Sequence, residues 1–209
     1  MRRVIKTHTP LDGLPLDPRA TYVVVGRHPL DAAVSLYHQG DNIDRVRVAE
    51  LTGASIPTRT RPPIGEWLRA WIDFEAAPTL ALDGRDGVFH HVRDAWSRRQ
   101  QANVVLMHYA DLIADLPREV TRLAAALDIH VDDNQVEQIA AGASFERLRR
   151  EADSFVPDRN GVMIDRGAFF RRGASGAARD LLTDREIDHY LDIARSRLEP
   201  DLYAWLHRE

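Results

Sequence analysis

Three short clusters in the 209-residue sequence combine residue types that handle negative charge and protons. In Lys6-Thr7-His8-Thr9-Pro10 an ammonium stands two residues from an imidazole. A cation in that position stabilises developing negative charge and keeps the ring neutral, ready to accept a proton. In Gly26-Arg27-His28-Pro29-Leu30-Asp31-Ala32-Ala33-Val34-Ser35 a guanidinium precedes a proline suited to a first helical turn. Arg27, the helix N-terminus and the Ser35 hydroxyl then form a candidate anion site. In Phe169-Phe170-Arg171-Arg172-Gly173-Ala174-Ser175-Gly176, adjacent arginines lie between aromatic residues and glycines, which suits a loop that closes over an anion. Each cluster also has a plainer reading. These are a solvated Lys–His pair, an Arg27–Asp31 surface pair with Ser35 facing water, and a basic loop in solvent.

Particular elements must position these side chains. Arg2 to Lys6 and Thr21 to Gly26 read as strands, the second a β-branched run expected of a strand buried on both faces. If the first strand continues, Lys6 and His8 emerge on one side at its carboxyl end, where open α/β sheets bind ligands. A helix is expected from Pro29 to a C-cap at Gly40, then a long polar loop over 41–63. An amphipathic helix follows over 64–76, then a second helix around Val88 to Gln101 and a third strand over Asn103 to Met107. Helices are expected over 110–114, 118–127, 134–141 and 144–152, the last with Ser144 as N-cap. Thr183 opens a last long helix, and a short aromatic segment, LYAWL, follows. Strands alternating with helices predict an α/β fold with a mostly parallel sheet, as a single domain over 1–209. Trp67, Trp71, Phe74 and Phe89 either line an apolar pocket or form plain core.

Composition narrows the function classes. A net charge of −4 argues against a nucleic-acid partner. The absence of cysteine removes disulfides, thiolate metal sites and a cysteine nucleophile. His90-His91 are adjacent rather than four apart, so no metal-binding helix is indicated. No apolar run approaches the roughly 18 residues of a membrane span, and no secretory signal follows the basic start. The expectation is a cytoplasmic enzyme or binding domain for small molecules. All but one of the 28 basic residues are arginine, and the exception is Lys6. Most surface cations can be either residue, but a site needing a compact ammonium cannot make that exchange.

Taken together and in order, KTHTP, GRHPLDAAVS, VVLMHYADLIADLPREV, ASFERLR and FFRRGASG resemble segments of the cytosolic-type sulfotransferases. The corresponding family patterns are KTHxP, RNPxDxxVS, FYEDLxxDPxxEI, SFexMK and FxRKGxxGDW. The likeness runs from Arg2 to about Thr183 and is closest to bacterial members acting on lipid-like or hydrophobic hydroxyl acceptors. It implies an α/β three-layer sandwich around a mostly parallel sheet, related to P-loop nucleotide kinases. The implied donor is 3′-phosphoadenosine 5′-phosphosulfate (PAPS). By the resemblance, His8 is the general base and Lys6 contacts the transferring sulfuryl group. Arg27 and Ser35 bind the donor's 3′-phosphate, and Arg171, Arg172 and Gly173 form the loop that closes on it. Tyr109 and Phe145 lie around the adenine, with Phe145 stacking, and His91 falls where the family has a histidine lining the acceptor cavity.

The chain departs from the pattern in places. Nothing matches the family's first strand and its 5′-phosphosulfate loop, so the fold is expected to lack both and to be poorly stable alone. Ala177-Ala178 replace the Asp-Trp of the closing loop, and Ala143 replaces a frequent hydroxyl. Two further readings stay open: an inactive remnant that keeps a nucleotide-binding surface, and a kinase-like phosphoryl transferase. The lone lysine yields a direct test. Lys6→Arg keeps the charge but substitutes a bulky fork, and should slow sulfuryl transfer about tenfold to a hundredfold. Full activity of that variant would make the single lysine an accident of composition.

Overall fold

A computed structural model describes residues 3–56 and 61–208. Two parallel strands, β1 (Tyr22–Gly26) and β2 (Val104–His108), pair in register from Tyr22↔Val104 to Gly26↔His108. In β2 every residue but Leu106 is buried. β1 is covered on one face only: Val24 and Gly26 are buried, whereas Val23 and Val25 are 40% and 52% exposed. The expectation of burial on both faces is thus corrected.

The strand expected at the start of the chain is also absent. Arg2 lies outside the described residues, and residues 3–6 belong to no ladder. A strand exists through its hydrogen-bonded neighbour, and no described segment lies beside this one. Val4 and Ile5 are consequently 96% and 86% exposed. The chain bends instead, with the Thr7 hydroxyl accepting from the Thr9 N–H (3.0 Å) and donating to Thr9 Oγ1 (2.9 Å). A short 3-10 turn, Leu11–Gly13, follows. The alternation argument that placed Lys6 and His8 on one side of a strand therefore does not apply.

The remaining elements are helices. α1 (Pro29–Asp41) starts on its proline and runs through Gly40 to a cap at Asn42. α2 (Arg45–Thr52) occupies part of the expected loop, capped by Asp44, which accepts from the Arg47 N–H. The 57–60 part of that loop lies outside the described residues. α3 (Ile64–Asp73) and α4 (Arg85–Ser97) follow, α4 beginning three residues before its expected start. After β2 come α5 (Tyr109–Ala114), α6 (Leu116–Ala126), α7 (Asp133–Gly142), α8 (Phe145–Arg150) and α9 (Ala152–Phe155). Ser144 caps α8 as expected, accepting from the Arg147 N–H. The chain closes with α10 (Asp184–Arg197), opened by a Thr183/Glu186 capping box, and α11 (Pro200–Leu206). No described helix is long and apolar enough to cross a membrane.

The main core lies where α1, α3, α4, α10 and α11 meet, around Val34, Leu68, Trp71, Phe89, Tyr190 and Leu202. Burying side chains of this size contributes roughly 1.5–3 kcal/mol each. Trp71 and Phe89 are thus core, Trp67 packs edge-on against Tyr37 at the margin, and Phe74 is 51% exposed. A smaller cluster of Leu11, Val24, Ala95 and Val104 docks the Leu11 turn onto α4 and the sheet. At the carboxyl end of β1, the bare Cα of Gly26 makes room for the Trp205 indole of α11.

The residue after α11 carries a pH signature. His207 Nδ1–H donates to the Tyr203 carbonyl (3.0 Å), leaving Nε2 to accept from the buried Tyr190 hydroxyl (2.8 Å). Burial, helped by nearby cationic and histidine groups, holds its pKa down to about 4 from 6.5. The unfolded ring therefore takes up a proton first, and stability is lost as pH falls from 6.5 towards 4. Lowering the pH from 7.5 to 5 should cost about 1–2 kcal/mol through this ring, and His207→Gln should remove that part of the slope in urea unfolding. An unchanged slope would show that the ring does not govern it.

Candidate functional site

Between the end of β1 at Gly26 and the start of α1 at Pro29, the chain has only Arg27 and His28 in which to turn. Arg27 therefore stands at the carboxyl end of the sheet beside a helix N-terminus, the position where such folds present ligand-binding groups. Its guanidinium carbon lies 4.2 Å from the centre of the Tyr109 ring, at the start of α5. One Nη donates to the Ala174 carbonyl (3.2 Å), while the buried Nε has no hydrogen-bond partner.

The 169–176 loop folds over this point. Arg171 is half-buried, and burial is the main force lowering its pKa. The positive charges of Arg172 and Arg27 push the same way, with Asp31 opposing them. Arg171 thus stands within electrostatic reach of two like charges, Arg27 and Arg172. Arg172 is more exposed and pairs with Asp180 at 3.3 Å. Gly173 has φ +63°, and a Cβ there would lie 2.6 Å from the Phe145 ring, so only glycine lets the loop rest on that ring. Phe145 in turn meets Phe170 edge-on, at 6.4 Å between centroids. Arg27, Tyr109, Phe145, Arg171, Arg172 and Gly173 accordingly form one continuous region.

Asp31, for which the sequence suggests a surface pairing with Arg27, instead ties α1 to the end of that loop. It is 3% exposed, with Oδ2 accepting from the Gly176 N–H and Oδ1 from the Ala177 N–H, both at 2.9 Å. Its position carried a signal: Leu30, Ala33 and Val34 make this the buried side of α1, and a carboxylate there must be satisfied. Ala177 and Ala178 enter the core just beyond it. Ser35, one turn further along α1, is exposed, and its hydroxyl makes no hydrogen bond to another described residue. Beside the loop lies a cavity of about 530 Å³, lined by His38, Asp41, Arg149, Phe170 and Arg171 among others. His38 has a lowered pKa, chiefly through burial and then through Arg171.

The Lys6–His8 segment forms a separate group. Both side chains are exposed, and neither makes a hydrogen bond or ion pair with another described residue. His8 does come within electrostatic reach of His91 on α4. Burial lowers the His91 pKa first, His8 and His90 add to the effect, and Asp94 and Asp12 oppose it. Two histidines from distant parts of the sequence thus come within electrostatic reach of one another.

Asp31 offers a test of how the closing loop is held. Asp31→Ala leaves two buried N–H groups without acceptors and should cost about 2–4 kcal/mol in urea unfolding. It should also speed tryptic cleavage at Arg171, Arg172 and Arg179, and Asp31→Asn, which keeps one acceptor, should lose about half as much. Unchanged stability and cleavage in Asp31→Ala would mean that the loop is held by other contacts.

A family model described as the sulfotransferase domain matches residues 1–200. A glycolipid sulfotransferase of Mycobacterium bovis is 36% identical over 99% of this chain and 69% of its own length. A glycolipid sulfotransferase of Mycobacterium tuberculosis is 35% identical with the same coverage. Among solved structures, a mouse sulfotransferase complexed with PAP superposes with a TM-score of 0.75 at 21% identity, over 98% of this chain and 69% of that one. Retinol dehydratase, in complex with androsterone and the inactive cofactor PAP, gives 0.69 at 20% identity. There the match covers 91% of this chain, which spans about half (51%) of the dehydratase chain. The chain belongs to the sulfotransferase family.

Proposed function

We propose that this protein transfers a sulfuryl group from PAPS to a hydroxyl of a lipid-like acceptor. The observation that carries the reading is the meeting of the Arg27 guanidinium, set over the Tyr109 ring, with the arginine-rich loop, which it touches at the Ala174 carbonyl and whose Gly173 rests on the Phe145 ring. Such a site suits a phosphorylated nucleoside: guanidinium groups grip the phosphate while an aromatic ring takes the base. PAP in the related solved structures supports the same ligand class. The glycolipid activity named for the mycobacterial relatives supports a glycolipid or similar hydroxyl compound as acceptor.

The roles of the individual residues are those that the sulfotransferase resemblance implies. Arg27 and the 171–173 loop hold the 3′-phosphate, with Ser35 within the same motif. His8 takes the proton of the acceptor hydroxyl as its oxygen attacks sulfur. The bond from sulfur to the 5′-phosphate oxygen breaks, and PAP leaves. Charge spreads over the sulfuryl oxygens during this displacement, as it does in phosphoryl transfer, so positioning and electrostatics supply most of the catalysis. Lys6 meets that charge as a compact ammonium.

Binding and transfer should therefore separate by mutation. Arg27→Ala should weaken PAP binding by about 1.5–3 kcal/mol in calorimetry, the range for a hydrogen bond to a charged group. His8→Ala should leave PAP affinity nearly unchanged but slow transfer from PAPS to a glycolipid by about 10²–10⁴-fold. Unaltered PAP affinity in Arg27→Ala would remove that residue from the site, and near-normal transfer in His8→Ala would remove His8 as the base.

A further inference from the structure

Among the described residues, His8 is held from its downstream side only. Residues 3–8 are exposed and join no ladder, so no described element upstream fixes the imidazole. Downstream the chain is tightly anchored. Pro10 is buried, and Leu11, 5% exposed, packs with Ala95 of α4 and Val24 of β1. The next residue, Asp12, is gripped twice. Its N–H donates to Asp94 Oδ2 (2.8 Å), and its own Oδ2 accepts from His90 Nε2 (2.9 Å). A carboxylate can only accept, so His90 carries its proton on Nε2. Asp94 is steadied in turn by Arg98 at 3.0 Å. His90, Asp94 and Arg98 stand four residues apart and form one stripe along α4. His91, within electrostatic reach of His8, follows His90 on the same helix.

We infer that Asp12 and His90 are positioning residues that latch the turn after His8 onto α4 and so fix where His8 stands relative to that helix. The inference rests on reading His8 as the base. A catalytic group displaced by about 1 Å can lose about a hundredfold in rate, and Asp12 is the nearest residue after His8 with a polar side chain tied to α4. The latch does not touch the arginine cluster. Its loss should thus act on the chemical step and spare nucleotide binding. The pair is partly exposed, at 28% for His90 and 44% for Asp12, so removing it should leave the fold in place.

The test compares His90→Ala, His90→Gln and Asp12→Ala/His90→Ala with the unaltered full chain. In His90→Ala, kcat should fall about tenfold to a hundredfold, with PAP Kd and acceptor KM within about twofold. His90→Gln, whose amide N–H can replace Nε2–H, should recover most of kcat, and the double variant should be no worse than His90→Ala. Unchanged kcat in His90→Ala would overturn the inference, as would a matching loss of PAP affinity or of cooperative unfolding. A second readout does not depend on activity. The His91 ring resonances should move on His8→Ala in the unaltered background and stay put in the His90→Ala background. Equal movement in both would overturn the latch even if transfer failed. A fully active His8→Ala protein would instead sink the assignment of the base, leaving the resonances to report on the latch alone.

Discussion

A buried carboxylate with two lone-pair directions, placed where two backbone N–H groups need acceptors, governs the geometry of the arginine site. Asp31 is in the first turn of α1, and its oxygens take the N–H groups of Gly176 and Ala177. That contact joins residues 145 positions apart and turns an arginine-rich loop back over the carboxyl end of the sheet. It holds the loop where Arg27 donates to the Ala174 carbonyl and Gly173 lies against the Phe145 ring. The favourable field of a helix N-terminus for a carboxylate adds to the arrangement. The same carboxylate tempers the mutual repulsion of the guanidinium groups, though it is already committed to the loop backbone.

The core supports this joint from below. Leu30, Ala33 and Val34 present the apolar side of α1 to Leu68, Phe89, Leu202 and Leu206. Asp31 can be buried because α10 and α11 close that side of the molecule, and Trp205 fits over the bare Cα of Gly26. Rigidity here matters more than the gross amount of buried surface. A cluster of like charges persists only where surrounding packing holds it in place.

The sequence displayed most of the helices, because each that faces the core carries an apolar stripe or a recognisable cap. Ser144, Thr183 with Glu186, and Pro29 all mark boundaries that the structure keeps. α2 escaped notice because it buries no residue and so prints no periodicity. The Val4–Ile5 pair resembled a strand because β-branched residues favour one, but a strand needs a neighbour and no described segment supplies it. The residues of the arginine cluster are visible in the sequence as separate motifs. Their meeting is not, since the contact of Gly173 with Phe145 depends on a left-handed backbone conformation and on a loop tethered by Asp31. Asp12 and His90 carried no local mark either, being 78 residues apart and joined only when the Leu11 turn docks.

The pairing of β1 with β2 spans some 80 residues of sequence, and α11 packs against α1 across an even longer stretch. Contacts so remote are slow to form, because much chain must be brought together before any of them is rewarded. The local helical hairpins, such as α6 with α7, can assemble early, but the main core stays open until residues 200–206 have been synthesised. A nascent chain halted before that point would expose Leu30, Val34 and Leu68 together, an apolar surface suited to capture by a chaperone. Timing during translation, rather than affinity or charge, is where the position of α11 in the chain has its largest consequence.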